Sequence, residues 1–152
     1  MKKKTPARKK TAKKARPARS RESFALRHTA GAGKPGELKY LSWNGVELET
    51  MNPLLQRQLI VGQDVMLARV LLKKGCIIPM HSHVNEQISY ILEGALKFWI
   101  DGKEIVVRPG EILTIPPNMP HKAEALEDTV DLDIFHPPRA DWLAKTDAYL
   151  RT

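Results

Sequence analysis

Apolar and polar residues alternate in short runs at positions 39–43, 58–61, 65–72, 87–92, 96–100, 105–107, 112–115 and 130–135. Successive side chains of a strand point to opposite faces, so each run predicts a strand with one buried face. Turn signals separate the runs, and Asp101-Gly102 predicts a tight hairpin. Many short strands with this punctuation predict an all-β sandwich or barrel. After Pro137-Pro138 the pattern changes. Residues 140–151 place Trp142, Leu143, Ala144, Tyr149 and Leu150 so that a short C-terminal helix can lay one face on the barrel. No internal repeat is present, so a single barrel is expected.

Charge changes the picture at one end only. The chain of 152 residues has a formal charge of +8, but residues 1–21 hold eleven Lys and Arg and no acid, leaving 14 basic against 17 acidic residues elsewhere. The first residues contain nothing apolar enough to offset the entropy of ordering them. The expected organisation is a disordered basic tail at 1–22, a glycine-punctuated linker at 23–39, and a barrel with its C-terminal helix at 40–152. No apolar run follows the charges as a secretory signal requires, and no stretch approaches the roughly 18 residues of a membrane helix. A cytoplasmic protein without a membrane partner is expected. The lone Cys76 reads as a small apolar strand residue.

Candidate chemistry is concentrated in residues 75–94, GCIIPMHSHVNEQISYILEG. His81 and His83 are two apart and share a strand face, and Gln87 keeps their parity. Glu86, the more usual kind of metal ligand, has the opposite parity on an unbroken strand, and a bulge near Val84-Asn85 would reverse the choice. A second stretch, PGEILTIPPNMPH, ends on His121 behind a proline-rich turn. The four side chains form a candidate site for one divalent ion. Imidazole and amide donors suit Zn, Mn, Fe or Ni without selecting one. Histidine binds metal only when neutral, so activity is expected to fall below roughly pH 6, and metal occupancy unchanged at about pH 4.5 would show that the histidines are not ligands.

At these spacings the sequence resembles the cupin superfamily. Gly75, His81, His83, Gln87 and Gly94 fit the first cupin motif, with Gln in place of Glu. Gly110, Pro116 and His121 fit the second, from which Asn118 and Ala125 depart, and fifteen residues separate the motifs. The resemblance spans about residues 58–139. It implies a double-stranded β-helix, or jelly-roll barrel, usually a homodimer. A His₃Gln shell is neutral, leaves the charge of the ion uncompensated and so favours a small anionic substrate.

On the strand at 130–135, Asp131, Asp133 and Phe135 share one face, and Arg139 follows. Asp133 is a candidate general acid or base, and the Arg139 fork matches a carboxylate. This ending also resembles the small cupins of pectin and alginate degradation that open the ring of 4,5-unsaturated uronates. By that resemblance Asp133 moves protons, Arg139 holds the uronate carboxylate and Phe135 shapes the pocket wall. Two alternatives remain at this level: a metal-dependent dioxygenase, and a sensing cupin that binds a small metabolite without turnover while its tail tethers it to nucleic acid. The tail predicts sequence-independent contact with nucleic acid through residues 1–21. Retention on duplex DNA is expected to fall steeply between about 50 and 200 mM salt and to vanish when residues 1–21 are deleted; salt-independent retention would contradict the counterion-release basis.

Overall fold

The computed structural model describes residues 36–151; the expected tail and most of the expected linker lie outside them. Ten strands build two antiparallel sheets. The larger runs in the order β1 (Glu49–Asn52), β2 (Leu55–Val61), β3 (Met66–Leu72), β10 (Thr129–His136), β5 (Glu86–Glu93) and β8 (Ile112–Ile115). The smaller runs β4 (Ile77–His81), β9 (His121–Ala125), β6 (Leu96–Ile100) and β7 (Lys103–Val107). This is the all-β barrel that the alternation predicts. The inner faces enclose a core that includes Met66, Ile91, Phe98, Ile115 and Phe135. No described helix is long and apolar enough to cross a membrane.

The last strand alternates along its whole length. Thr129, Asp131, Asp133 and Phe135 of β10 are buried, while the residues between them face outward. Pairing with β5 sets Asp133 opposite Ser89 and Phe135 opposite Gln87. In the smaller sheet His81 stands directly opposite His121. The outer face of the larger sheet leaves Leu92, Ile112 and Ile134 exposed. Asp101 and Gly102 turn β6 into β7 with φ of 51° and 70°, as their dipeptide predicts. At Gly94 φ is +80° and the Asp128–Thr129 backbone presses so close that a Cβ would overlap it.

Several elements differ from the sequence-based expectation. Residues 39–43 form no strand; the segment is exposed and ends in a 3-10 turn at Trp43–Gly45. Regular structure begins instead at β1, whose Thr and Asn carry little apolar signal. β4 contains Pro79, which cannot donate to a ladder, and the β4–β9 register shifts between Ile78 and His81 to accommodate it. β9, HKAEA, has helix-forming side chains and becomes a strand because it lies between β4 and β6. The expected C-terminal helix shrinks to one turn, α1 (Ala140–Leu143), and a 3-10 turn at Ala148–Leu150. Lys145 takes φ of 55° between them, and Thr146 N–H donates to the Asp141 carbonyl, which closes the turn.

This segment is tied to the barrel by charge. Arg57 of β2, 1% exposed, donates from Nη1 to the fully buried Asp147 at 2.5 Å. Its Nε donates to Glu49, and Arg151 bridges Glu49 and Asp147. Removing one partner of a buried pair strands the other charge in a low-dielectric site. Asp147→Ala is therefore expected to lower stability by about 3 kcal/mol in urea unfolding, the low end for a buried pair because Glu49 remains beside Arg57.

Candidate metal centre

His81, His83 and His121 each offer a ring nitrogen within 4.8 Å of the others. They do not come from one unbroken strand. β4 ends at His81, the chain bends at Val84 and Asn85, and Gln87 is the second residue of β5 in the other sheet. The buried Asn85 holds this corner by donating from Nδ2 to the Pro137 carbonyl at 2.5 Å. Across the corner the inward direction is kept: Gln87 is 5% exposed, while Glu86 faces solvent. Asn118 occupies the place of the second-motif glycine and takes φ of 62°, a conformation asparagine tolerates better than most residues. Its N–H donates to the His83 carbonyl at 2.7 Å.

Each imidazole is oriented by a backbone carbonyl two residues away. His81 Nδ1 lies 2.9 Å from the Pro79 oxygen, His83 Nδ1 3.0 Å from Asn85 and His121 Nδ1 2.8 Å from Met119. A carbonyl only accepts, so Nδ1 carries the hydrogen at His81 and His121 and Nε2 keeps its lone pair; His83 has an acceptor at each nitrogen, the Asn85 carbonyl and Gln87 Oε1, and its one hydrogen serves either side. Gln87 is fixed in the same sense. Its Nε2 donates to Ser89 Oγ and to Asp133 Oδ1, each at 2.9 Å, which turns Oε1 toward His83 Nε2 at 3.0 Å. With the His83 hydrogen on Nδ1, as ligation through Nε2 requires, two lone pairs face one another with no hydrogen between them. A cation relieves that repulsion: ligands about 2.1 Å from one ion and at right angles stand roughly 3 Å apart. The donor set fits a divalent metal.

Burial pushes His81 and His83 down to about 4 from 6.5, with His121 next in weight at His81 and Arg139 at His83. His121 is lowered too, again by burial. The neighbouring acids move the other way. Burial raises Asp133 to about 6 against the hydrogen bonds from Ser89 and Gln87, and raises Asp131 well above the carboxylate range, helped by the charge of Asp133. Both shifts favour the protonated form, and the two acids share one buried face of the strand. Ser89 Oγ donates to Asp133 Oδ1.

Phe135 is wedged between the His83 ring, 5.6 Å away, and the Trp142 ring, 5.1 Å away. Arg139 is 1% exposed and lies over both Phe135 and Trp142. Its fork is not open: Nε and Nη2 donate to the two oxygens of Asp141 at 2.9 and 2.6 Å. Only Nη1 is left without a partner among the described residues. One wall of the cavity comes from side chains that sequence reasoning assigned to packing alone. Tyr149 packs on the His81 ring at 4.9 Å, and Trp142 lines the same cavity. Their apolar spacing reads as a helix face, and nothing local marks them as neighbours of the histidines.

The lowered histidine pKa values revise the expected acid limit. Between about 4 and 6.5 the unfolded chain binds more protons than the native one, so the metal-free fold loses stability as pH falls through that window. Ion binding competes with protons only near its lower edge. Metal analysis after dialysis is expected to find occupancy maintained at about pH 5 and lost near 4, and half-loss already near pH 6 would contradict buried neutral imidazoles.

A cupin-domain family model matches residues 68–136. The chain is 31% identical over 98 residues to the pectin degradation protein KdgF of Dickeya dadantii (strain 3937), covering 62% of this chain and 89% of the relative. The structure of KdgF from Halomonas sp. superposes with a TM-score of 0.66 at 27% identity, covering 70% of this chain and 99% of that one. An RmlC-like cupin from Shewanella frigidimarina NCIMB 400 gives 0.65 at 27% identity, covering 70% and 97%. With three oriented histidines, a two-sheet antiparallel barrel and these relatives, the chain belongs to the cupin family.

Proposed function

We propose that this chain is a metal-dependent enzyme that opens the ring of 4,5-unsaturated uronates. The observation that carries the reading is the hydrogen bond from Gln87 to Asp133, which joins a neutral candidate metal ligand to a buried carboxylate whose pKa of about 6 lets it take and return a proton near neutral pH. Likeness to a protein named for pectin degradation supports the substrate class. A divalent ion held by His81, His83, Gln87 and His121 would act as a Lewis acid on a substrate oxygen.

The residues divide the remaining work. Asp133 takes the proton of the anomeric hydroxyl as the bond between C1 and the ring oxygen breaks. The electron pair stays on the ring oxygen, C1 becomes an aldehyde, and the enolate left across C4 and C5 is protonated at C4 to give the C5 ketone. Substrate and product have the same composition, so the proton taken at O1 balances the one delivered at C4, and one carboxyl can carry both transfers. Arg139 Nη1 is the donor for the uronate carboxylate. Phe135 and Trp142 keep this side of the pocket dry, which strengthens every charge interaction within it.

With metal-reconstituted protein, the ultraviolet absorbance of the conjugated double bond is expected to decay faster than in buffer, and no faster than in buffer with His121→Ala. Asp133→Asn, which still accepts from Gln87, is expected to lower kcat by about 100-fold or more at unchanged metal content. Absence of acceleration by metal-loaded wild type would remove the reading.

A further inference from the structure

Arg139 alone cannot grip a carboxylate in two hydrogen bonds, because Asp141 occupies Nε and Nη2. The cavity supplies two more donors beside it. Trp142 is 6% exposed, and its Nε1–H has no partner among the described residues. Tyr149 Oη accepts from Arg139 Nη2 at 2.9 Å, which occupies its acceptor side; its own proton has no acceptor among the described residues. The three side chains are contiguous. The guanidinium lies 4.8 Å from the indole centroid, and all three line the cavity shared by His81, Gln87 and His121. Arg57, which lines it too, has Nη2 within 2.9 Å of Glu49 in an ion pair, but that nitrogen makes no hydrogen bond among the described residues. Apart from the candidate metal ligands, Asp131 Oδ1 is an acceptor without a partner among the described cavity residues, and it suits a ligand hydroxyl.

Arg139 Nη1 and Trp142 Nε1 are buried without acceptors, which is costly in the folded chain, and a ligand that supplies acceptors recovers that cost. A carboxylate offers two oxygens and about four lone-pair sites. We infer that Trp142 Nε1–H and the Tyr149 hydroxyl join Arg139 Nη1 in a carboxylate-binding subsite built by the C-terminal segment, beyond the cupin-domain match that ends at residue 136. Trp142 and Tyr149 are thereby specificity-determining residues for acidic over neutral sugars. The identity of the sugar acid rests on the ring-opening reading; the existence of the donors does not. The buried Arg57–Asp147 pair holds the segment, and hence Tyr149, in place.

The test is calorimetric titration of full-length, metal-loaded protein with D-galacturonate and with its methyl ester, which keeps the sugar and removes the charge. Wild type is expected to prefer the acid by about tenfold, the order expected for charge-assisted hydrogen bonds. Trp142→Phe and Tyr149→Phe are each expected to weaken the acid about five- to tenfold and leave the ester unchanged. Equal affinities in wild type, or variants that weaken both ligands alike, would overturn the subsite. Should Trp142→Phe fail to fold, Tyr149→Phe carries the test, because it keeps the ring on His81. Turnover of the unsaturated uronate with unaltered acid affinity in the variants would sink the subsite and leave the ring-opening reading. Donor-dependent acid binding without turnover would support the subsite while sinking that reading.

Discussion

The site depends on four lone pairs held toward one region by hydrogen bonds made elsewhere. Three imidazole Nδ1 atoms face backbone carbonyls, and the Gln87 amide is committed to Ser89 and Asp133. Without those commitments a ring could flip, or Gln87 could turn its N–H₂ toward His83, and the cluster would satisfy itself. With them, and with the His83 hydrogen on Nδ1, a cation relieves the repulsion between Gln87 Oε1 and His83 Nε2. Gln87 also links the two halves of the pocket, since the orientation that offers its oxygen to the histidines offers its nitrogen to the catalytic candidate Asp133.

The same low-dielectric interior sets opposite tendencies on the two sides. Burial favours neutral histidines, as metal binding requires, and protonated carboxyls, as proton transfer requires. Asp131 and Asp133 share one face of β10 and cannot readily ionise together; burial and the charge of Asp133 raise Asp131, while hydrogen bonds from Ser89 and Gln87 hold Asp133 near 6. On the far wall the C-terminal segment adds positive charge that is largely neutralised by Asp141 and Asp147, and so contributes directional donors more than net charge. The neutral ligand shell is consistent with that economy, because the charge available to an anionic ligand is then chiefly that of the ion.

Much of the fold was legible because alternation is a local signal. The strands at 65–72, 96–100, 112–115 and 130–135 are read from their own apolar residues, and Asp101-Gly102 from its own backbone preference. β1 and β9 were not legible, since Thr-Met-Asn and HKAEA lack the pattern and become strands through their partners; of β4 only the histidine end was read, and it stops at His81 instead of running on through His83. The run at 39–43 shows the converse: it has strand-like composition but no neighbouring strand to pair with. The C-terminal segment has helical spacing, yet the positive φ at Lys145 and the Asp147 ion pair divide it.

At the site, the sequence alone determined which side chains have suitable chemistry and which could share an inward face: His81, His83, Gln87, His121, Asp133 and Phe135. Their residue types and parity are local facts. Only the tertiary structure decided that the inward direction survives a corner between two sheets, so that Gln87 and not Glu86 meets the histidines. It also decided that Arg139 spends its fork on Asp141, and that Trp142 and Tyr149 close the cavity. These outcomes follow from long-range pairing and burial, which place residues far apart in the chain within hydrogen-bonding distance and which no spacing along the chain encodes.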